Sequence, residues 1–452
     1  MTPLFVLATG LAFAGEWGVR LSSIVTDYVP WFEWRLLLIP PITGIIGYLT
    51  NWVAIRMLFY PLGFRGVDVP GMEQLTANLP YRIRQIPGMM EGKLGWQGII
   101  PSRARKMGSI SVDTGITRIA SQREFYETFD PEIIAEHIVS TSEEAIHDLV
   151  EEIVREQNPE LWVNSSTLVR QLMHARISDQ LPSVTRRITH RIGENVDDLL
   201  DIKMMVIEDL GENPELLNRI FLETGDREFT FLVRSGFYFG TLLGCISVPL
   251  FVFIDRWWVL PVAGVFVGYA TNWLALKMIF RPMHPIDVGP FTFQGIFLSR
   301  QDEAAETYAE IVSEEILTLE NIAENLLSGP NADRTRRMIK EELAEAIDRS
   351  AGLAGPIVRM TAGASQYESI RQEIADRGVD YAVEPMQDRT INERRSGAIR
   401  ELMARRMKEM PAADFATMLR AAFKEDEWLL IAVGAALGFV AGWVQLLVVT
   451  AV

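Results

Sequence analysis

Gly47-Tyr48-Leu49-Thr50-Asn51-Trp52-Val53-Ala54-Ile55-Arg56-Met57-Leu58-Phe59-Tyr60-Pro61 is answered by Gly268-Tyr269-Ala270-Thr271-Asn272-Trp273-Leu274-Ala275-Leu276-Lys277-Met278-Ile279-Phe280-Arg281-Pro282. Glycine, tyrosine, threonine, asparagine, tryptophan, alanine, methionine, phenylalanine and proline coincide, and Arg56 answers Lys277. Self-similarity on this scale marks a chain built from repeated units. Both elements sit in charge-free stretches, Leu36 to Ile55 and Trp257 to Leu276, and one further such stretch follows each of them, at Ser235 to Ile254 and Trp428 to Val452. About twenty apolar residues cross the roughly 30 Å hydrocarbon core of a bilayer as a helix. Four spans are therefore expected.

Working outward, weaker echoes extend the repeat. Trp96-Gln97-Gly98-Ile99 corresponds to Phe293-Gln294-Gly295-Ile296, each followed by Ser-Arg at Ser102-Arg103 and Ser299-Arg300. Gly236, Gly240 and Gly244 match Gly434, Gly438 and Gly442, with Pro214 or Pro411 upstream of each ladder. The fold class expected is an all-α membrane protein of two tandem repeats, with about four to five membrane spans. Each repeat comprises a Thr-Asn transmembrane helix, a helical soluble domain and a glycine-ladder transmembrane helix. The first repeat has its opening span at 31–61, its soluble domain at 62–230 and its closing span at 231–254. The second has its spans at 255–282 and 428–452, with the soluble domain at 283–427. Residues 1–30 carry an apolar segment, Thr2 to Gly15, that reads as a short membrane helix, an interfacial or re-entrant segment being the alternative. No Lys or Arg precedes it, unlike the positive start of a secretory signal.

The doubled Thr-Asn-Trp-x-Ala-x-x-Met-x-Phe-x-Pro element, the Gln-Gly element and the glycine-rich last helix resemble a bacterial membrane family catalogued as domain of unknown function 445. The resemblance covers nearly the whole chain and implies an inner-membrane protein. That family offers no activity or catalytic residue to carry over.

Composition agrees with segregated membrane and soluble parts: 48% hydrophobic residues coexist with 23% charged ones because the charges crowd between the apolar stretches. A net charge of −16 argues against a nucleic-acid partner, since a basic face supplies most of that affinity. Cys245 is the only cysteine, so no intrachain disulfide forms. Positive residues near the span ends are denser on the domain side (Arg56, Arg65, Arg227, Arg234, Lys277, Arg281, Lys424) than opposite (Arg20, Arg35, Arg256). That bias leans the domains towards the cytoplasm.

On the Thr-Asn helices, Thr43, Gly47, Thr50 and Ala54, then Gly264, Gly268, Thr271 and Ala275, form a small-residue stripe, which lets helices approach closely. Each is expected to pack on a glycine ladder, or the two on each other. Thr50, Asn51, Thr271 and Asn272 form the candidate site: a polar site at the repeat interface, on a solute path, or an interhelical clasp. Arg56 and Lys277 lie one turn from the helix ends and read as snorkelling anchors at the lipid headgroups. Arg103 and Arg105, among the basic residues of the first Gln-Gly segment (Arg82, Arg84, Lys93, Lys106), are candidate lipid-phosphate contacts, a plain structural loop being the alternative.

Both long intervening segments read as helical. Val312, Ile316, Leu319, Ala323 and Leu326 recur at four and three among acidic residues, predicting one amphipathic helix. Val139, Ile146, Val150 and Ile153 predict another, opened by Asp130-Pro131 as cap and first-turn proline. Strand signals are few, with a short loop or hairpin expected around 66–100 and 286–296. Glu144 and His147 make a single Glu-x-x-His, whereas a di-metal bundle needs two such pairs and further carboxylates. Phosphate-cradling loops and nucleophile elbows are missing. No enzyme, cofactor or metal is expected. Two functions remain: a membrane-anchored helical scaffold or interaction protein of the cell envelope, or movement of a lipid or small solute using the doubled Thr-Asn motif. Membrane lipids are the expected partners, with a protein partner and the oligomeric state open.

Overall fold

A computed structural model describes residues 34–68, 93–254, 256–288, 291–351, 364–382, 384–424 and 427–451. The amino-terminal apolar segment, Arg82, Arg84 and the Gly355-Pro356 break lie outside the described residues. The protein is an all-α membrane protein. Its longer helices, in chain order, are α1 (Ile39–Phe59), α2 (Ala104–Ser111), α3 (Gln122–Thr128), α4 (Pro131–Gln157), α5 (Thr167–Glu194), α6 (Ile202–Glu212), α7 (Pro214–Thr224) and α8 (Asp226–Ile254). They continue with α9 (Val259–Phe280), α10 (Gln301–Ile311), α11 (Leu319–Ser328), α12 (Ala332–Ala351), α13 (Ala364–Gly378), α14 (Arg389–Glu409), α15 (Ala412–Lys424) and α16 (Glu427–Ala451). Four of them are long and apolar enough to cross a membrane: α1, α8, α9 and α16.

These four helices close into a ring. α1 packs along α8 and α9 along α16, while α8 also touches α9 and α16 touches α1. The first of the two packing expectations thus describes the main contacts. The pattern inverts that of a soluble bundle. Thr43, Gly47, Asn51 and Ala54 of α1 face inward, while Ile45, Leu49 and Trp52 point out. α9 repeats this with Gly268, Thr271, Asn272 and Ala275 inside and Phe266, Tyr269 and Trp273 outside. Lipid tails are as apolar as leucine, so large side chains gain nothing by turning inward, and close backbone packing holds the helices instead. A Cβ on Gly47 would lie 2.2 Å from the Gly236 carbonyl oxygen, and one on Gly268 would lie 2.2 Å from that of Gly434. Only glycine fits there.

Beyond the spans, two small antiparallel hairpins, β1 (Arg65–Asp68) with β2 (Lys93–Trp96) and β3 (Ile286–Val288) with β4 (Phe291–Phe293), follow α1 and α9. After each, the chain is tied back to the span: Gly98 N donates to Pro61 O at 2.9 Å and Gly295 N to Pro282 O at 3.0 Å. Both X-Pro bonds at those corners, Tyr60-Pro61 and Arg281-Pro282, are cis.

The helices of the two segments between spans build one core rather than two. A single apolar cluster runs from Met107, Phe125 and Leu210 of the first to Ile311, Met403 and Phe415 of the second. Arg191 with Glu341 and Glu342, Arg219 with Glu315, and Arg377 with Glu152 and Glu156 cross between them. In the long antiparallel pair, α4 is about 40 Å long at 1.5 Å per residue, and its buried face runs through Ile134, Ile138, Leu149, Val150 and Ile153.

Two local expectations need correction. Val312, Ile316, Leu319, Ala323 and Leu326 are all buried, but they do not share one helix. A π turn spans Val312–Ile316, Leu317 leaves the helical region, and α11 starts afresh. Thr318 Oγ1 accepts from Asn321 N (3.1 Å), and Asn321 Nδ2 donates back to the Glu315 and Ile316 carbonyls at 3.1 and 2.9 Å. Those side chains satisfy the helix ends that a continuous helix would not have. The other correction is Asp130. It stands at the N-cap of α4 with Pro131 in the first turn, yet its backbone is left-handed (φ 60°) and its side chain caps nothing.

Candidate functional site

Asn51 and Asn272 each lie at the centre of a helix pair. Both are fully buried. Asn51 Nδ2 donates to Leu232 O on α8 at 2.8 Å, and Asn272 Nδ2 to Leu430 O on α16 at 3.1 Å. The glycines opposite make the room: a Cβ on Gly236 would stand 2.7 Å from Asn51 Nδ2, and one on Gly434 2.2 Å from Asn272 Nδ2. In both amides Oδ1 is buried without a partner among the described residues. Thr50 Oγ1 donates to Gly47 O at 3.1 Å and Thr271 Oγ1 to Val267 O at 2.9 Å, so both hydroxyls are absorbed by their own helices. Each asparagine therefore clasps the ladder of its own half, and the two amides do not meet. Between the halves, at the level of Thr43, Thr50, Gly264 and Gly442, the free space is only about 10 Å³. That is the room of about one water molecule.

The cationic candidates lie at the span ends. Arg56 is exposed and stacks over Trp52 and Tyr60 (5.7 and 5.4 Å to the ring centres), and Lys277 over Trp273 at 4.7 Å. Such contacts hold a cation against an aromatic face. Arg103 is half-buried at the end of a short helix, Ile99–Ser102, packed against α1. Arg105 is exposed and lies over Gly211 of α6. The matching residue of the second half, Arg300, turns inward instead and forms a pair with Glu228 at 2.9 and 3.0 Å. Glu303 shares that guanidinium; its carboxyl lies below the usual range because Arg300 bonds it.

Several polar contacts escaped sequence reading. Gln445 of α16 is buried and donates to Thr43 Oγ1 (3.0 Å) and Ile39 O (3.4 Å), tying the last span to the first. It is the only amide in that apolar stretch, and isolation of this kind was the available signal. Asn218 Nδ2 donates to Phe59 O at 2.6 Å, closing the carboxyl end of α1. Arg420 pairs with Glu427 at the start of α16.

A cavity of about 90 Å³ lies where spans meet domain. Its walls come from the outgoing ends of α1 and α9 (Ile55, Leu58, Leu276), the incoming ends of α8 and α16 (Leu232, Leu430) and the domain (Ile220, Phe221, Leu419). Glu144 is exposed, and His147 accompanies a different set: its Nε2 lies 3.2 Å from Ser178 Oγ, and its ring meets that of His174, which bonds Glu151 at 2.7 Å. Among the described residues no cluster of three or more His, Cys, Asp or Glu could hold a metal. Burial pushes the Tyr308 hydroxyl up to about 12 and raises that of Tyr126, which donates to Thr189 O. Both are core phenols.

Residues 262–451 match the family model described as Protein of unknown function (DUF445). The carboxyl-terminal part of the chain is thus similar to that family. The expected resemblance to a bacterial membrane family is borne out by that match, which holds the second Thr-Asn element, and by relatives named as membrane proteins. A UPF0754 membrane protein of Synechococcus elongatus is 31% identical over 144 residues, 29% of this chain and 35% of the relative. One from Anoxybacillus flavithermus is 42% identical over 69 residues, and one from Bacillus cereus 43% over 67, each spanning 14% of this chain and 18% of the relative. The matched stretches thus span about a third or less of these relatives' length. No solved structure matches the chain. The chain is therefore an integral membrane protein of unknown molecular function, similar over residues 262–451 to that family and in shorter stretches to bacterial membrane proteins.

Proposed function

We propose that this chain is two tandem copies of one unit that together form a membrane-anchored helical scaffold, multi-pass in the bacterial inner membrane and without enzymatic activity. The carrying observation is how the intramembrane polar groups are used. Asn51, Asn272 and Gln445 are all buried and all bonded to neighbouring helices, and at the level of Thr43 and Gly264 the space between the halves is only about 10 Å³. Transport along the Thr-Asn motif, the alternative, has little support in a ring closed by glycine backbone contacts. The repeated placement of hairpin, tied-back corner and asparagine clasp supports the duplication.

The domain also offers a contact surface. Val163, Leu168, Val169 and Leu172, before and at the start of α5, are exposed, and apolar groups clustered at a surface mark interaction sites. The partner would be an envelope or cytosolic protein. A photo-crosslinking amino acid at Leu168 or Leu172 should give a discrete adduct in living cells. Lipid or solute flux through liposomes that is abolished by Asn51→Ala and Asn272→Ala, with folding intact, would sink the scaffold reading. The domain side follows from labelling. With Cys245→Ser and Ser369→Cys, an impermeant maleimide should react only after lysis if the domains are cytoplasmic.

A further inference from the structure

We propose that the junction cavity is a binding site for a hydrocarbon chain ending in an uncharged hydrogen-bonding group, such as a long-chain alcohol. It goes beyond the scaffold reading and does not depend on it. The walls are almost wholly apolar, the cavity is only partly enclosed, and three of its residues, Ile55, Leu58 and Leu276, are half-buried at the outgoing ends of the spans, the level at which lipid chains would meet it. At about 90 Å³ it is of the order of the ~150 Å³ apolar cavity that admits benzene. It therefore takes the end of a chain, with the remainder running out along the spans.

The polar lining says what that end should be. Thr224 lines the cavity, is 4% exposed, and its hydroxyl has no partner among the described residues. A buried hydroxyl without a partner is costly to leave, and a ligand hydroxyl would satisfy it. Glu228 and Glu427 also line the cavity, each already neutralised, by Arg300 and by Arg420. A fatty-acid carboxylate would meet two carboxylates whose cations are engaged, so the site selects against an anionic head. Hydrophobic transfer drives the chain in, and Thr224 chooses its end.

The experiment uses the full chain in lipid nanodiscs and a sixteen-carbon primary alcohol with a diazirine near its hydroxyl. Irradiation and peptide mapping should place label on segments carrying Ile220, Phe221 or Leu419. The corresponding fatty acid at pH 8 should label them less. Thr224→Val keeps the shape and removes the hydroxyl. It should weaken labelling there about fivefold, the ratio one typical hydrogen bond supports, while raising the Tm of the unliganded protein. Ile220→Trp should fill the cavity and abolish labelling. Label confined to lipid-facing positions such as Tyr238, Phe253 and Phe266 in the wild type overturns the proposal, as does equal labelling of wild type and Thr224→Val. Neither outcome touches the scaffold reading, which is decided by the crosslinked partner.

Discussion

Gly47→Ala is the sharpest probe of how the membrane ring is held. The added methyl would stand 2.2 Å from the Gly236 carbonyl oxygen, whereas real Cβ contacts essentially never fall under 3.0 Å, and the neighbour is backbone that cannot rotate away. α1 and α8 must part by roughly 1 Å, an overpacking that costs about 1–3 kcal/mol. Parting also stretches the Asn51–Leu232 bond from its 2.8 Å, forfeiting a further 0.6 kcal/mol or so. The expected loss is thus about 1.5–3.5 kcal/mol, mostly steric. Equilibrium unfolding of the full chain in mixed micelles, followed by helical circular dichroism, reads it. A cycle with Asn51→Ala adds a second check: the double variant should lose less than the two singles summed, because the first change already breaks the second's bond. Gly397→Ala is the control. Nothing lies within 4 Å of its Cβ position in the interior of α14, so alanine there should stabilise by about 0.8–1 kcal/mol through helix propensity. Should Gly47→Ala match the wild type within about 0.5 kcal/mol while the control behaves as expected, backbone contact is not what holds the ring.

Three further outcomes follow from the same geometry. Asn272→Leu should cost under about 1 kcal/mol in the same unfolding assay, because the lost clasp is partly offset by removing an unpartnered buried Oδ1. Arg300→Ala should cost about 3–5 kcal/mol by stranding Glu228, while Arg300→Met with Glu228→Leu should recover most of it, since a buried pair is replaceable by apolar packing. Burial holds the Asp209 carboxyl above the ordinary range. Its folded value exceeds its unfolded one, so ionisation costs stability as pH rises through the folded value. Asp209→Asn should therefore raise Tm at pH 7, with the gain vanishing below the carboxylate range; a gain that persists there would refute the assignment.

The spans were legible because membrane helices carry their information in composition and stripe. Gly47, Thr50 and Ala54 announced a close-packed face, and charge-free length announced the crossing. What Asn51 grips was not legible, because a backbone carbonyl at Leu232, 181 residues away, has no sequence signature. Helical phase misled at 312–326. The π turn inserts its extra residue without exposing Val312 or Ile316, so the apolar period runs on through a break that only Thr318, a capping residue, betrays. The shared core was illegible for a different reason. An amphipathic helix shows that it has an inner face, and not which helix covers it, so Met107 and Met403 give no hint that they join one cluster.

That shared core bears on how the two halves have differed. Where helix meets helix in the membrane, glycine is compulsory on both sides of the contact, and Gly47 with Gly236 is matched by Gly268 with Gly434. In the domain the same positions solve their problems differently. The end of α1 is closed by the Asn218 amide on Phe59 O. The corresponding place after Pro411 holds Phe415, which stacks on Phe297 at 5.3 Å, while backbone amides of Ile296 and Phe297 close the end of α9 on Met278 and Ile279. Glu228 of the first half takes its cation from Arg300 of the second. That pair ties the halves together, the carboxylate coming from one and the guanidinium from the other. Steric necessity keeps the membrane contacts alike, whereas the domain closes its helix ends with different groups in each half. The junction cavity lies where those two regimes meet, walled by both halves, with Thr224, whose hydroxyl has no partner among the described residues, in its wall.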